Sequence, residues 1–391
     1  MTAIASAVSI ASALVLWCLA GLSASRTRAI GLVVVLGMTA AAMMAQPFKP
    51  ARMGDYHDFV QSRGAFESYV GTTVHFQYQL AGTIVYGLDA VFGRTTHSPV
   101  KAFDMLARLA SFVFVAGLAL LALQRRFSAR VVRYVAIVLA APATLLLFGY
   151  HEFGYLPDAL GVSALPLALI GLEEERNAFV IAGATLLGVG AALHGFGLVA
   201  VAFLLLVTLA WEFGEPRRLG TRLAQVIGGA AFGWLVWLAL YLVVLGWQVI
   251  PDHADFLPIR PLLHTRAVPT VHRYDYAIFS HLGLRDIFFE FVILGVFASA
   301  VILFLPGGRL WRAVVAATVP MILFVVFFWP VQGLGNDTDF LGSAFPALYA
   351  VGWLTSQSRR GSLVLIAALA LGQLALLHVV HGTGFVHAQD F

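Results

Sequence analysis

Asp55 and Asp58 stand three residues apart in Met-Gly-Asp-Tyr-His-Asp-Phe, residues 53–59. If a helix starts near Gly54, both carboxylates share one face of its first turn. An acid there can cap free N–H groups and suit the helix dipole, or it can take a proton from an acceptor hydroxyl. His57 lies between them, and Glu67 follows nearby. A second group, in segment 248–285, holds Arg260, His264, Arg266, His272 and Arg273, with Tyr274 and Tyr276 close by. Arginine forks match phosphate oxygens, although the same residues suit an ordinary loop that meets lipid headgroups. The prolines Pro251, Pro258, Pro261 and Pro269 argue against a helix there. Polar residues elsewhere sit beside apolar runs. They are His151 and Glu152 with Asp158, His194 in Ala-Leu-His-Gly-Phe-Gly, and Asp337 and Asp339. The first four could line a substrate cavity; Asp337 and Asp339 could cap the next span, line that cavity or bind a metal.

Other chemistries find no support. His378, His381 and His387 are a weak metal signal, and no His-Glu-x-x-His pattern occurs. The lysines, Lys49 and Lys101, belong to no phosphate-binding glycine loop. The lone Cys18 excludes an intrachain disulfide framework.

The elements that must position these groups follow from composition. Of 391 residues, 60% are hydrophobic and 11% charged, against about 25% charged in soluble domains, and the mean hydropathy is +0.87. An ordinary soluble enzyme, a disordered chain and a nucleic-acid binder are excluded or disfavoured; the net charge is only +4. A spanning helix needs about 20 apolar residues, and such runs recur. They predict an all-α, polytopic bundle of about twelve spans forming one integral membrane domain over 1–391. The spans are expected near 3–22, 29–46, 104–123, 132–149, 155–172, 178–193, 196–212, 224–247, 286–305, 311–330, 339–355 and 362–380. The first reads as a retained span rather than a signal peptide, because it lacks a basic n-region. Segment 76–93 carries Gln77, Gln79 and Asp89 and reads as a helix on or dipping into the membrane.

Charge placement sets the expected orientation. Arg26, Arg28, Arg125, Arg126, Arg130, Arg133, Arg176, Arg217, Arg218, Arg222, Arg309, Arg312, Arg359 and Arg360 fall on one side, which the positive-inside rule makes cytoplasmic. All twelve histidines and most acids fall on the other, together with the long segments 47–103 and 248–285. Glu173, Glu174, Glu175, Glu212 and Glu215 are the exceptions. Any chemistry is therefore expected at the outer face.

The order of these features resembles the GT-C superfamily of polytopic glycosyltransferases, such as protein O-mannosyltransferases and aminoarabinose lipid A transferases. The acidic segment around Asp55 follows the early spans, and Tyr86-Gly-Leu-Asp-Ala-Val-Phe-Gly93 comes next. Then come Phe103-Asp-Met-Leu-Ala-Arg108, His151-Glu152-Phe-Gly-Tyr155-Leu-Pro157-Asp158 and Asn336-Asp-Thr-Asp339 ahead of Pro346. The likeness covers roughly residues 29–355 as a pattern of hydropathy and loop chemistry. Here two spans precede the acidic loop where the family usually has one, and Asp55-Tyr-His-Asp58 replaces a paired acidic dipeptide.

The resemblance implies an inverting transferase at the periplasmic face of the inner membrane. Its donor would be a sugar on polyprenyl phosphate, and its acceptor a hydroxyl on a lipid, glycan or protein. Asp55 or Asp58 would be the base, with Glu67 as a further candidate. Arg260, Arg266, His272 and Arg273 would hold the donor phosphate, and a divalent cation could share that task. His57, His151, Glu152, Asp158, His194, Asp337 and Asp339 would line the sugar and acceptor cavity. Two other classes fit the hydropathy: a multi-span transporter, and a lipid-linked glycan polymerase or ligase. The crowding of polar residues toward one face favours the transferase over a two-sided transport cycle.

Overall fold

A computed structural model describes residues 3–45, 99–142, 144, 155–193, 195–245, 259–261, 307–330 and 345–382. These residues are helical apart from one short antiparallel pairing. In chain order the elements are α1 (Ala3–Ala20), α2 (Ser25–Ala45), α3 (Pro99–Gln124), α4 (Ala129–Ala140), α5 (Tyr155–Glu173), α6 (Asn177–Leu193), α7 (Gly195–Trp211), α8 (Pro216–Leu245), β1 (Ile259–Pro261), α9 (Arg309–Phe327), β2 (Phe328–Pro330), α10 (Phe345–Thr355) and α11 (Arg359–Gly382). An apolar environment cannot satisfy exposed backbone groups, so helices are the expected solution for such a composition.

Among the described residues three helical stretches are long and apolar enough to cross a membrane: Ser25–Ala45, Leu156–Glu173 and Pro216–Leu240. Shorter apolar helices accompany them, among them Ala5–Ala20, Arg108–Gln124 and Asn177–Leu193. The rest of the expected twelve spans rest on hydropathy, and segments 76–93 and 286–305 lie outside the described residues. Large apolar side chains face outward on α2 and α8: Val33 is 60% exposed, Met38 63% and Phe232 61%. Apolar surface of that extent marks contact with membrane or partner.

Helix ends depart from the hydropathy runs for local reasons. Within the run expected at 132–149, α4 ends at Ala140, because Ala141 precedes Pro142 and takes an extended conformation, φ −70° and ψ 139°; Pro142 and Thr144, beyond this break, are helical again. Proline disfavours α geometry in the residue before it. The run expected at 311–330 likewise leaves the helix at Phe327, and Trp329 precedes Pro330 in β2. By contrast α8 starts at Pro216, ahead of the apolar run, and takes in Arg217, Arg218 and Arg222. Proline suits a first helical turn because it has no N–H to leave unsatisfied.

α6 packs between α5 and α8. Glycines allow the approach: a Cβ at Gly183 would lie 2.6 Å from the Ala164 carbonyl oxygen, and one at Gly188 or Gly233 would collide with the Ala230 or Thr185 carbonyl. Close backbone contact of this kind is the usual adhesive between apolar helices. α4 is held by α1 and α11, and α10 by α5. Tyr134 of α4 donates its hydroxyl hydrogen to the Val162 carbonyl at 2.6 Å. Its ring meets Trp353 edge-on at 5.6 Å.

Candidate functional site

The connections α1–α2, α3–α4, α5–α6, α7–α8 and α10–α11 and the start of α9 are bound to one another. Arg28 Nε donates to the Phe127 carbonyl at 3.0 Å. Arg125 and Arg130 pair with Glu174 and Glu173 at 2.6 and 2.8 Å. Arg218 reaches Glu175 at 3.2 Å and Glu215 at 3.3 Å. Arg309 bridges Glu212 and Glu215, each at 3.5 Å. Arg133 Nε donates to the Ser356 carbonyl at 2.7 Å, and Gln357 Nε2 donates to Glu173 at 3.1 Å. These bonds bring the arginine-bearing connections to one end of the bundle. Burial lowers the pKa of Arg130, and the charge and hydrogen bond of Glu173 oppose that shift. The Arg130 guanidinium stacks over Trp353 at 4.1 Å.

Glu173, Glu174, Glu175, Glu212 and Glu215, the acids that sequence placed among arginines, all pair with arginine here. Their carboxylates serve here as counterions. Each neighbouring helix then runs toward the far end. The end of α2 and the start of α3, which flank segment 46–98, therefore lie toward the far end, where Arg108 donates to the Met44 carbonyl. The starts of α5, α7 and α10 also meet there: Pro157, Gly197 and Pro346 line one cavity.

Asp158 lies in the first turn of α5 and is 6% exposed. It borders that cavity with Gly161 and buried Tyr349. The cavity holds about 10 Å³, room for about one water. A carboxylate at a helix start also suits the helix dipole. Arg260 lies in β1, with register Ile259–Pro330, Arg260–Trp329 and Pro261–Phe328. That pairing ties part of segment 248–285 to the end of α9. Asp55, His57, Asp58, Glu67, His151, Glu152, His194, Arg266, His272, Arg273, Asp337 and Asp339 lie outside the described residues. Among the described residues no group of three His, Cys, Asp or Glu is placed to hold a metal.

Sequence reasoning passed over two polar residues. Tyr349 appeared only as part of an apolar run; its hydroxyl gave the sole signal. Gln373 is fully buried between α11, α1 and α4. Its Oε1 accepts from Ser6 Oγ at 3.1 Å, and its Nε2 donates to Ser9 Oγ at 3.3 Å and to the Leu139 and Ala141 carbonyls at 3.0 Å each. Ser9 Oγ also donates to the Leu139 carbonyl. The amide thus satisfies carbonyls that α4 frees by ending before Pro142. A lone glutamine inside an apolar run was the available signal. Gln373→Leu takes the acceptor from the buried Ser6 hydroxyl and leaves the Leu139 and Ala141 carbonyls with only Ser9 Oγ and the Thr144 N–H, so it is expected to destabilise the folded protein by about 1–3 kcal/mol. Thermal unfolding in detergent measures this; an unshifted midpoint would show that water replaces the amide.

No protein-family model, curated protein or solved structure matches the chain. The class shown by the described residues is a helical protein with apolar helices able to cross a membrane.

Proposed function

We propose that this protein is a GT-C-type glycosyltransferase of the inner membrane, with about twelve spans and its arginine end in the cytoplasm. It moves a sugar from polyprenyl phosphate to a hydroxyl of a lipid, glycan or protein at the outer face. One observation supports this reading beyond the sequence resemblance: the acids of the arginine end are bound to arginines, whereas the end of α2 and the start of α3, which flank the segment bearing Asp55 and Asp58, lie toward the far end. The end of α2, the start of α3 and β1, to which the segments bearing the proposed base and phosphate-binding groups attach, lie away from the basic end, which supports this reading.

The reaction is an in-line displacement. The acceptor oxygen forms a bond to the anomeric carbon, and the bond from that carbon to the phosphate oxygen breaks. Asp55 or Asp58 takes the acceptor proton. The departing phosphate carries the electron pair, and Arg260, Arg266, His272 and Arg273 offset its charge. The test is mass spectrometry of outer-face glycans and glycolipids in a deletion strain. A sugar mass should vanish on deletion and return with the wild-type gene; an unchanged profile would remove the transferase reading.

A further inference from the structure

A second feature sits at the arginine end, away from the proposed chemistry. A groove of about 660 Å³ runs between α6 and α8. Ile181 and Thr185 form one wall; Gly220, Thr221, Ala224, Gln225, Gly228, Gly229 and Phe232 form the other wall and the floor. Its depth comes from missing side chains: a Cβ at Gly220 or Gly228 would have no atom within 4 Å. The lining is mostly apolar, with Thr185, Thr221 and Gln225 as its polar members, and it opens outward, with Ile181 42% and Phe232 61% exposed.

Charge is confined to the mouth. At 100° per residue, Arg217 lies on the helical face of Thr221, Ala224 and Gly228, one turn before the groove begins. Its neighbours are committed: Arg218 to Glu175 and Glu215, and Arg222 to Asn177 at 2.6 Å and Gln225 at 3.0 Å. Among the described residues Arg217 is exposed and enters no ion pair. Lengthwise, residues 220–232 span about 18 Å of helix, close to the about 15 Å of hydrocarbon in one leaflet.

We infer that this groove binds an anionic phospholipid of the surrounding membrane, with its phosphate at Arg217 and one acyl chain along Ala224, Gly228 and Phe232. A second copy of the chain is the competing occupant. A two-fold pairing of parallel α8 helices would bring Arg217 against Arg217, which like-charge repulsion disfavours. An anionic headgroup complements the same charge.

The test uses the full-length protein in detergent with phosphatidylglycerol or phosphatidylcholine, with bound lipid counted by native mass spectrometry. Wild type should retain phosphatidylglycerol preferentially. Gly228→Leu fills open space and should lose the retained lipid while keeping wild-type thermal stability. Arg217→Gln should reduce the preference for the anionic lipid about fivefold, the effect of one basic residue at a charged surface. Equal phosphatidylglycerol retention by wild type and Gly228→Leu would overturn the proposal. So would a wild-type dimer that Gly228→Leu converts to monomer, because the groove would then belong to a second copy.

Discussion

Asp55→Asn is expected to slow sugar transfer by about 10²–10⁴-fold, the range that a positioned general base contributes. Asparagine keeps the size and polarity of the side chain and removes its basicity, so membrane levels should equal wild type. The rate is measured in proteoliposomes supplied with the polyprenyl-phosphate sugar and the acceptor identified in the deletion strain. Asp58→Asn and Glu67→Gln are run beside it, because both lie in the same segment between α2 and α3. If only Asp58→Asn abolishes transfer, Asp58 is the base and Asp55 caps a helix. If all three variants retain the wild-type rate, proton removal by this segment is refuted. Arg266→Ala and Arg273→Ala should instead raise the KM for the donor, since their proposed partner is its phosphate.

The largest expected loss of stability comes from Arg222→Met. The Glu212 side chain is 3% exposed and lies between Arg222 at 3.7 Å and Arg309 at 3.5 Å. Removing Arg222 leaves that carboxylate to Arg309, whose side chain is 36% exposed. It also takes the donor from Asn177. Breaking a buried pair from one side typically costs about 3–5 kcal/mol, and the remaining arginine places the expected value near the lower figure. Glu215→Gln should cost under about 1 kcal/mol, because the Glu215 side chain is 45% exposed. Unfolding by a denaturing detergent measures both. The double variant Glu212→Leu, Arg222→Met should regain much of the loss, since it leaves no buried charge. A double variant as unstable as Arg222→Met alone would show that packing, not charge, explains the effect.

Much of the helical layout was legible because hydropathy reports it directly. Arginine placement was legible for a related reason. Charged residues collect in short connections, and hydrogen bonds from Arg28 to Phe127 and from Gln357 to Glu173 join those connections at one end. Helix ends were less legible where a proline breaks an apolar run. At Ala141 and Trp329 the residue before proline decides, while hydropathy continues past it. At Pro216 the reverse holds: the helix extends into charged sequence that no hydropathy window includes. Glu212 looked like a loop acid, since its burial depends on Arg222 and Arg309, which are distant in sequence. Of the candidate site, Asp158 and the strand position of Arg260 are described. Their surroundings depend on contacts such as Tyr349 and Trp329, which no local pattern announces.

The Gln373 amide has a consequence in time. It joins α11 to Ser6 of α1 across 367 residues of chain. At about 5–20 residues per second, a ribosome needs about 20–70 s to make that interval. α1 must wait through all of it, and the end of α4 through the last 234 residues of it, without the final partner. Closing this contact is therefore a late step of biogenesis, and a nascent chain halted before residue 373 would lack the amide that ties Ser6 of α1 to the Leu139 and Ala141 carbonyls at the end of α4.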